Sequence, residues 1–551
     1  MKIVSSVLGV AALLVVAGCL EQVGGPRTYK GPLLRYHFAG HAHFPASASA
    51  TRLKEISALP QSAALRAEIA KKLAAAALPF WSKELPAGAT DQTMLLQPLV
   101  NDFLTAESFV EVRGAAGSTD TALAVELSDE RALAWSTNLK QLMTAWKLGA
   151  TADVTTEGFK GWEVKRVQAP DTFQFFRAGK WVVIGLAQGK SAQVPALLAE
   201  AKKSGRPVAG PGENIYSISA DLPALRAWVP VLAQFPLPPV VATVSGKGDS
   251  IRTEVKFQYS GKIPWAYEPW KIPTNIVTEP LTSFTVGQGI APLLGQIPGM
   301  AGIGLNPLPN QFCAWGLNHD QCRMYFAVPV TGATNAMSKV SVGVPKFLLP
   351  MFTNGPGNFL YQASRAEVIW GGVPFIMPFV HPEKDGKDEY LFGGNFPPPL
   401  THTPVPDELF AQVRGRTNLV YYDWEITEQR LNHGRQFYQL MSIVDSRRLP
   451  GTNSVSKRWL STIGAKLGNT ATEIVRNGPQ ELALVRKSHV GFTGFELATL
   501  SAWIDSPGFP LTFDRPGIIP RSGGVAAARA ALHTNGPAGA KPVSSPPGAK
   551  R

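Results

Sequence analysis

The sequence predicts an α+β fold made of two tandem, duplicated units, each with a mainly antiparallel sheet and packed helices. Its 551 residues include 52 glycines and 46 prolines. Because these residues interrupt helices, the composition disfavours a helical bundle and indicates many turns between short strands. The predicted strands are joined mostly as hairpins without a continuous βαβ alternation, which disfavours a parallel sheet. The element order of the first half also recurs in the second, and this recurrence predicts the duplication.

The first unit is expected over residues 33–265. It opens with a short strand and an amphipathic helix, and a strand pair, a second helix and a meander follow. A strand, a helix and a hairpin close it. The helix after the strand pair is predicted from Asp129 to Lys147, with Ser128 as its cap. Its apolar face is predicted to carry Leu133, Trp135, Leu139, Leu142 and Trp146.

The second unit is expected over residues 266–514, with the same order of elements. Its strand pair should likewise be followed by a helix, at about residues 333–347. Two offsets express the proposed repeat. Residues 34–40 align with residues 281–287 at an offset of 247, and an offset of 203 aligns Phe109 with Phe312 and Ala124 with Ala327.

A crossing rich in Pro and Trp joins the two predicted units over residues 262–273. Trp265, Tyr267 and Trp270 lie in this crossing, and such aromatic rings can stack on a sugar. Pockets often form where two units meet, so these three residues are the candidate binding residues. The alternative is that they only pack between the units.

The N-terminus has the pattern of an exported protein. Lys2 is followed by an uncharged apolar stretch over residues 3–16, too short to span a bilayer comfortably. The stretch ends in the run Val16, Ala17, Gly18 and Cys19, which resembles the lipobox of bacterial lipoproteins. The resemblance implies that residues 1–18 are a signal peptide and that Cys19 is lipidated. The alternative is an ordinary secretory signal with an incidental cysteine.

The resemblance also implies a cellular location. Two or more acyl chains on Cys19 give stable membrane anchoring. Leu20 follows the cysteine in place of Asp, which in the enteric sorting pattern favours the outer membrane, with the body facing the periplasm. Residues 19–32 are then a lipidated tether. The body as a whole resembles the large envelope lipoproteins of Gram-negative bacteria, a likeness that implies no activity.

The positive charge is concentrated at the C-terminus. The whole chain carries 53 Lys and Arg against 40 Asp and Glu, a formal net charge of +13. Residues 515–551 hold six of the cations and no acidic residue, and they are rich in Gly, Ala, Pro and Ser. This segment is predicted to be a disordered basic tail. The remaining charge is mild for so long a body, so a nucleic-acid partner is not expected.

The chain has three cysteines. If Cys19 carries lipid, Cys313 and Cys322 remain, and they flank a predicted hairpin turn. In the oxidising compartment implied by export, cross-strand cysteines can form a disulfide, and this pair is the predicted bond. Two free buried thiols are the alternative.

Signatures of catalysis are scarce. His37, His41 and His43 suggest a metal site, but no Cys, Asp or Glu lies close by in sequence to complete it, so no metal and no cofactor is predicted. Asp423 and Glu425 share one strand face and form a candidate acid pair. A solvent-facing position on the strand is the expectation for both.

Two classes of function stay open. The first is a lipid-anchored envelope protein with a non-catalytic binding or scaffolding role, whose partners are the membrane and an envelope protein or glycan. The second is an envelope hydrolase acting on glycan or peptide through a site without a known motif. A polar pocket with facing carboxylates or a nucleophile-base pair would favour the hydrolase.

Overall fold

The computed structural model describes thirteen segments of the chain. They are residues 32–81, 90–115, 118–166, 170–225, 238–263, 267–295, 300–319, 323–348, 358–362, 366–371, 376–400, 403–444 and 453–510. The predicted signal peptide, Cys19, Trp265, Cys322 and the basic tail lie outside these residues.

Within the described residues, ten strands come from the first half of the chain. Hairpins connect most neighbours, as the sequence predicts. The strands are β1 (Leu34–Phe38), β2 (Ser108–Ala115), β3 (Ser118–Glu126), β4 (Thr151–Thr156), β5 (Phe159–Lys165), β6 (Asp171–Ala178), β7 (Trp181–Gln188), β8 (Asn214–Ala220), β9 (Val240–Lys247) and β10 (Ser250–Gln258).

The second half contributes the strands that follow in the numbering. Its hairpin between Phe379–Asp385 and Asp388–Gly394 turns at Gly386, where φ is +60°, a conformation that glycine adopts without strain. The strands are β11 (Leu281–Gln288), β12 (Gln311–Leu317), β13 (Arg323–Val330), β14 (Asn358–Gln362), β15 (Glu367–Gly371), β16 (Phe379–Asp385), β17 (Asp388–Gly394), β18 (Leu419–Ile426), β19 (Asn469–Arg476) and β20 (Glu481–Ser488).

Helices pack on this sheet, and several begin at a capping residue. The side chains of Ser47, Ser128 and Thr493 each accept from a backbone N–H in the first turn of the helix that follows. No helix in the described segments is long and apolar enough to cross a membrane. The helices are α1 (Ala48–Ala58), α2 (Pro60–Trp81), α3 (Gln97–Phe103), α4 (Asp129–Ala145), α5 (Gln193–Ser204), α6 (Leu222–Leu225), α7 (Ala291–Gly295), α8 (Ala333–Leu348), α9 (Asp407–Ala411), α10 (Thr427–Val444), α11 (Val455–Ile463) and α12 (Gly494–Asp505).

All of these strands pair into one antiparallel sheet. From one edge to the other, the pairings give the order β4-β5-β6-β7-β3-β2-β1-β8-β9-β10-β20-β19-β18-β11-β12-β13-β17-β16-β15-β14. Counted inward from the two outer edges of the sheet, the strands of the second half come in the same order along the chain as those of the first half. The two halves meet at the antiparallel pair β10–β20, which runs from Ile251 opposite Ser488 to Gln258 opposite Glu481.

The α+β class and the antiparallel sheet are therefore confirmed, whereas the expectation of a separate sheet in each unit is wrong. The core also crosses the predicted boundary, since one cluster of buried side chains extends from Leu33 to Phe509. The indole N–H of Trp459 donates to the hydroxyl of Ser62 at 2.9 Å. Shared burial of this kind makes the halves depend on each other for stability.

The register of the strands shows that the two proposed offsets conflict. In the first half His37 lies opposite Phe109. The offset of 247 aligns His37 with Phe284 and the offset of 203 aligns Phe109 with Phe312, so Phe284 should lie opposite Phe312. It lies opposite Trp315 instead. Because side chains alternate between the faces of a strand, this shift of three residues exchanges the faces.

The expected superposition of strand pairs also fails by one residue. Phe109 lies opposite Ala124, whereas Ala327 lies opposite Cys313 and not Phe312. In both halves, nevertheless, a strand pair is followed by a helix. A strand pair precedes α4 in the first half, and another precedes α8 in the second.

In the structure Cys313 is a free and fully buried thiol, so the predicted disulfide is not seen there. Cys322, its predicted partner, lies outside the described residues. Cys313 lies opposite Ala327 in the pair of β12 and β13. Burial raises the pKa of the Cys313 thiol, which keeps it protonated and unreactive.

Candidate functional site

A cavity of about 220 Å³ lies in the first half, between the sheet and helices α2 to α4. Apart from Thr121 and Arg166, every side chain that lines it is apolar. The lining residues are Leu73, Ala77, Leu96, Leu99, Val100, Phe103, Thr121, Leu123, Trp135, Leu139, Leu142, Met143, Trp146, Leu148, Val164, Arg166, Phe173, Ile184 and Leu186.

Helix α4 supplies much of this wall. It begins after Ser128, whose hydroxyl accepts from the backbone N–H of Arg131 at 3.3 Å, as the sequence predicts. Trp135, Leu139 and Leu142 are buried on its inner face. The expectation for Leu133 is wrong, since this side chain is 68% exposed. Residues i, i+4 and i+7 share one helix face, and Leu133 lies outside that stripe.

Two side chains that line the cavity have polar partners. The guanidinium of Arg166 lies 3.1 Å from the carboxylate of Asp171, and both side chains are almost fully buried. The indole N–H of Trp135 donates to Asp102 Oδ2 at 2.8 Å. The indole N–H of Trp146 is buried and has no hydrogen-bond partner in the described part of the chain, but it does not open onto the cavity, whose surface is almost wholly apolar.

The apolar lining of the cavity has an energetic consequence. Side chains that face the open cavity lack packing partners on that side. An apolar ligand would recover contacts that the lining side chains otherwise lack.

The aromatic residues of the predicted crossing do not line this cavity. Trp270 is partly buried against the core of the second half, and its indole N–H donates to the carbonyl of Arg416 at 3.2 Å. The ring of Tyr267 lies under the guanidinium of Arg476, 5.1 Å from the ring centre. Neither residue lines any of the four cavities described for the chain.

The candidate acid pair lies inside the protein and not on the expected solvent-facing side. Asp423 and Glu425 are 3% and 1% exposed. The hydroxyl of Thr285 donates to Asp423 Oδ1 at 2.6 Å, and the backbone N–H of Gly494 donates to Glu425 Oε1 at 2.7 Å. Helices α10 and α12 pack against each other near this strand, and they account for the burial.

Burial changes the acidity of the pair. It raises the pKa of Glu425 to about 8, and the neighbouring charge of Asp423 adds to the shift. The pKa of Asp423 is raised as well, again chiefly by burial. Neither carboxyl group lines any of the four cavities. A glycan or peptide in these cavities would therefore not meet the pair.

Sequence reasoning missed both the cavity and its lining. The buried face of α4 was the available signal, but it could not show that α2, α3 and the sheet stop short of filling the space above it. Comparison with known protein families, curated proteins and solved structures gives no match.

Proposed function

We propose that this protein is a lipid-anchored component of the bacterial cell envelope whose body binds a fatty-acyl chain in the apolar cavity of its first half. The cavity is the observation that carries the proposal, because it is lined almost wholly by apolar side chains. A long hydrocarbon chain is the kind of ligand that such a lining can bury without leaving a polar group unpaired. The anchor is proposed from the lipobox that ends in Cys19.

The alternative hydrolase function has less support. It requires an accessible pair of catalytic groups, and Asp423 and Glu425 are both buried away from the four cavities. Ser454, which begins a Ser-x-x-Lys match, caps helix α11 by accepting from the backbone N–H of Lys457 at 3.3 Å. That contact gives this serine a structural role.

Acyl-chain binding is testable with a matched pair of substitutions on one helix. Ala77 lines the cavity and Ala75, two residues earlier on α2, is exposed. We expect the wild-type chain to bind a dansyl-labelled fatty acid at one site. Ala77→Phe should weaken that binding at least tenfold, since the added ring occupies the cavity, a loss of about 1.4 kcal/mol. Fluorescence titration measures both affinities.

Ala75→Phe adds the same ring to the solvent-exposed face of α2 and should bind as tightly as the wild type. Circular dichroism confirms that both variants are folded before titration. The proposal fails if the wild type shows no saturable binding, or if Ala77→Phe binds the labelled fatty acid as well as Ala75→Phe does.

The anchor is tested at Cys19. Replacement by Ser removes the thiol to which lipid would be attached, so Cys19→Ser should move the protein from the membrane fraction to the soluble fraction. Fractionation of cells with immunodetection measures the distribution. Cys322→Ser also removes one cysteine but leaves the lipobox intact, and it should stay with the membrane. Retention of Cys19→Ser on membranes after a high-salt wash would contradict the anchor.

We also infer that the two halves descend from a tandem duplication. The recurrence of one order of strands on both sides of the β10–β20 pair supports this inference. The conflict between the two offsets requires that insertions have shifted the strands relative to one another.

A further inference from the structure

Three side chains that are distant in sequence meet at one end of strands β1 to β3. His43 lies in the segment after β1, Glu107 directly precedes β2, and Glu126 is the last residue of β3. Gly40 allows the segment after β1 to approach the backbone of Glu107 closely. Its φ is +74°, and a Cβ added there would lie 2.4 Å from the backbone nitrogen of Glu107. The backbone N–H of His41 donates to the carbonyl of Thr105 at 3.0 Å, which fixes the segment there.

The atoms that face each other have the spacing of a metal site. His43 Nε2 lies 2.7 Å from Glu126 Oε2 and 3.9 Å from Glu107 Oε2, and one atom from each residue lies within 4.8 Å of the others. Ligands of a tetrahedral Zn²⁺ ion, at 2.0 to 2.1 Å from the metal, are about 3.3 Å apart. Small adjustments of the His43 ring would therefore bring the ligand atoms to coordination distance.

The second oxygen of each carboxylate is already held. Glu107 Oε1 accepts from His37 Nε2 at 2.9 Å and from the guanidinium of Arg206. Glu126 Oε1 is paired with the ammonium of Lys180. Outer partners of this kind orient the carboxylates that bind metals and fix which oxygen is free.

The free oxygen of Glu107 is the independent observation that points to a ligand. The Glu107 side chain is fully buried, yet its Oε2 has no hydrogen-bond partner in the part of the chain that the structure describes. A buried carboxylate oxygen without a partner is costly, and a bound cation would remove that cost.

We propose that His43, Glu107 and Glu126 bind one divalent transition-metal ion, with Zn²⁺ as the best match to the mixed nitrogen and oxygen ligands. The three ligands leave a fourth position for water on the side of an adjoining cavity of about 430 Å³. His37 acts as a positioning residue, since it reaches the ion only through Glu107. This site is separate from the apolar cavity and shares none of its lining residues.

The test uses the purified full-length chain, without a histidine tag, and the metal alone as the probe. Equilibrium dialysis against Zn²⁺ should show one ion bound per chain at micromolar concentration. Co²⁺ in the same site should give visible d–d absorption of a four-coordinate ion. His43→Ala should lower the affinity at least tenfold and abolish that absorption, and His37→Gln should weaken it by about tenfold with the absorption retained.

His381→Ala is the matched control, because this half-buried histidine lies on β16, outside the proposed site. It should bind Zn²⁺ as the wild type does. His43 is partly exposed, so its replacement should leave the fold intact, and circular dichroism checks this. Failure of the wild type to bind Zn²⁺ or Co²⁺, or equal affinity in His43→Ala and the wild type, would overturn the proposal. Either failure would leave the acyl-chain measurements unaffected.

Discussion

Gly494→Ala is expected to destabilise the protein by on the order of 3 kcal/mol. Gly494 begins α12 where this helix meets α10. A Cβ added there would lie 2.3 Å from the backbone nitrogen of Leu431 and 2.4 Å from the carbonyl oxygen of Thr427. Both obstacles are backbone atoms of another helix, so no side chain can rotate away to make room. The helices would have to move apart and would lose packing along their contact.

The sign of this effect is informative, because helix propensity alone predicts the opposite. Alanine is favoured over glycine in a helix by about 1 kcal/mol. Gly478→Ala provides the control, since an added Cβ at that position meets no atom within 4 Å. Urea unfolding should show a large fall in the midpoint for Gly494→Ala and almost none for Gly478→Ala. Equal midpoints for the two variants would show that the helices do not cross as closely as described.

Local features of the fold follow from local sequence. The start of α4 at Ser128 follows from a capping residue before an amphipathic run. The turn at Gly386 follows from the Asp-Gly pair between alternating strands. In each case the deciding interactions lie within a few residues of one another.

Long-range pairing does not follow in that way. The contact of β10 with β20 joins segments more than 200 residues apart, and it merges two predicted sheets into one. No sequence pattern in β10 or β20 specifies the other strand as its partner, because each is an ordinary strand of a hairpin. Their pairing depends on the packing of the whole chain, including the contact of Trp459 with Ser62 across the predicted boundary.

The candidate sites show the same limit. The proximity of His37 and His43 is visible in the sequence, but Glu107 and Glu126 join them only through strand pairing. For Asp423 and Glu425, alternation shows that both side chains share one face. It does not show which face is covered, because that depends on α10 and α12, which come later in the chain.

Burial of Glu425 makes the stability of the protein depend on pH. Its pKa is raised from an ordinary value of 4.5 to about 8, so between these values the folded state holds a proton that the unfolded state has lost. Stability should therefore fall by about 1.4 kcal/mol for each pH unit as pH rises through this window. Burial lowers the pKa of His433 from 6.5 to about 4, which has the opposite effect between those two values.

The two effects offset each other between about pH 4.5 and 6.5, and the effect of Glu425 is no longer opposed by His433 between 6.5 and 8. The raised pKa of Asp423 acts in the same direction as that of Glu425. Glu425→Gln keeps an oxygen for the N–H of Gly494 but cannot ionise. We therefore expect the variant to be more stable than the wild type at pH 8 and close to it at pH 5.

Urea unfolding at half-unit pH steps measures the difference, and Glu130→Gln, at an exposed position on α4, controls for the loss of one carboxyl group. Parallel curves for the wild type and Glu425→Gln across pH 6.5 to 8 would contradict the assignment. In that case the Glu425 carboxyl group would have to be ionised inside the folded protein, with Arg430, whose Nε lies 3.9 Å from Glu425 Oε2, as its counter-charge.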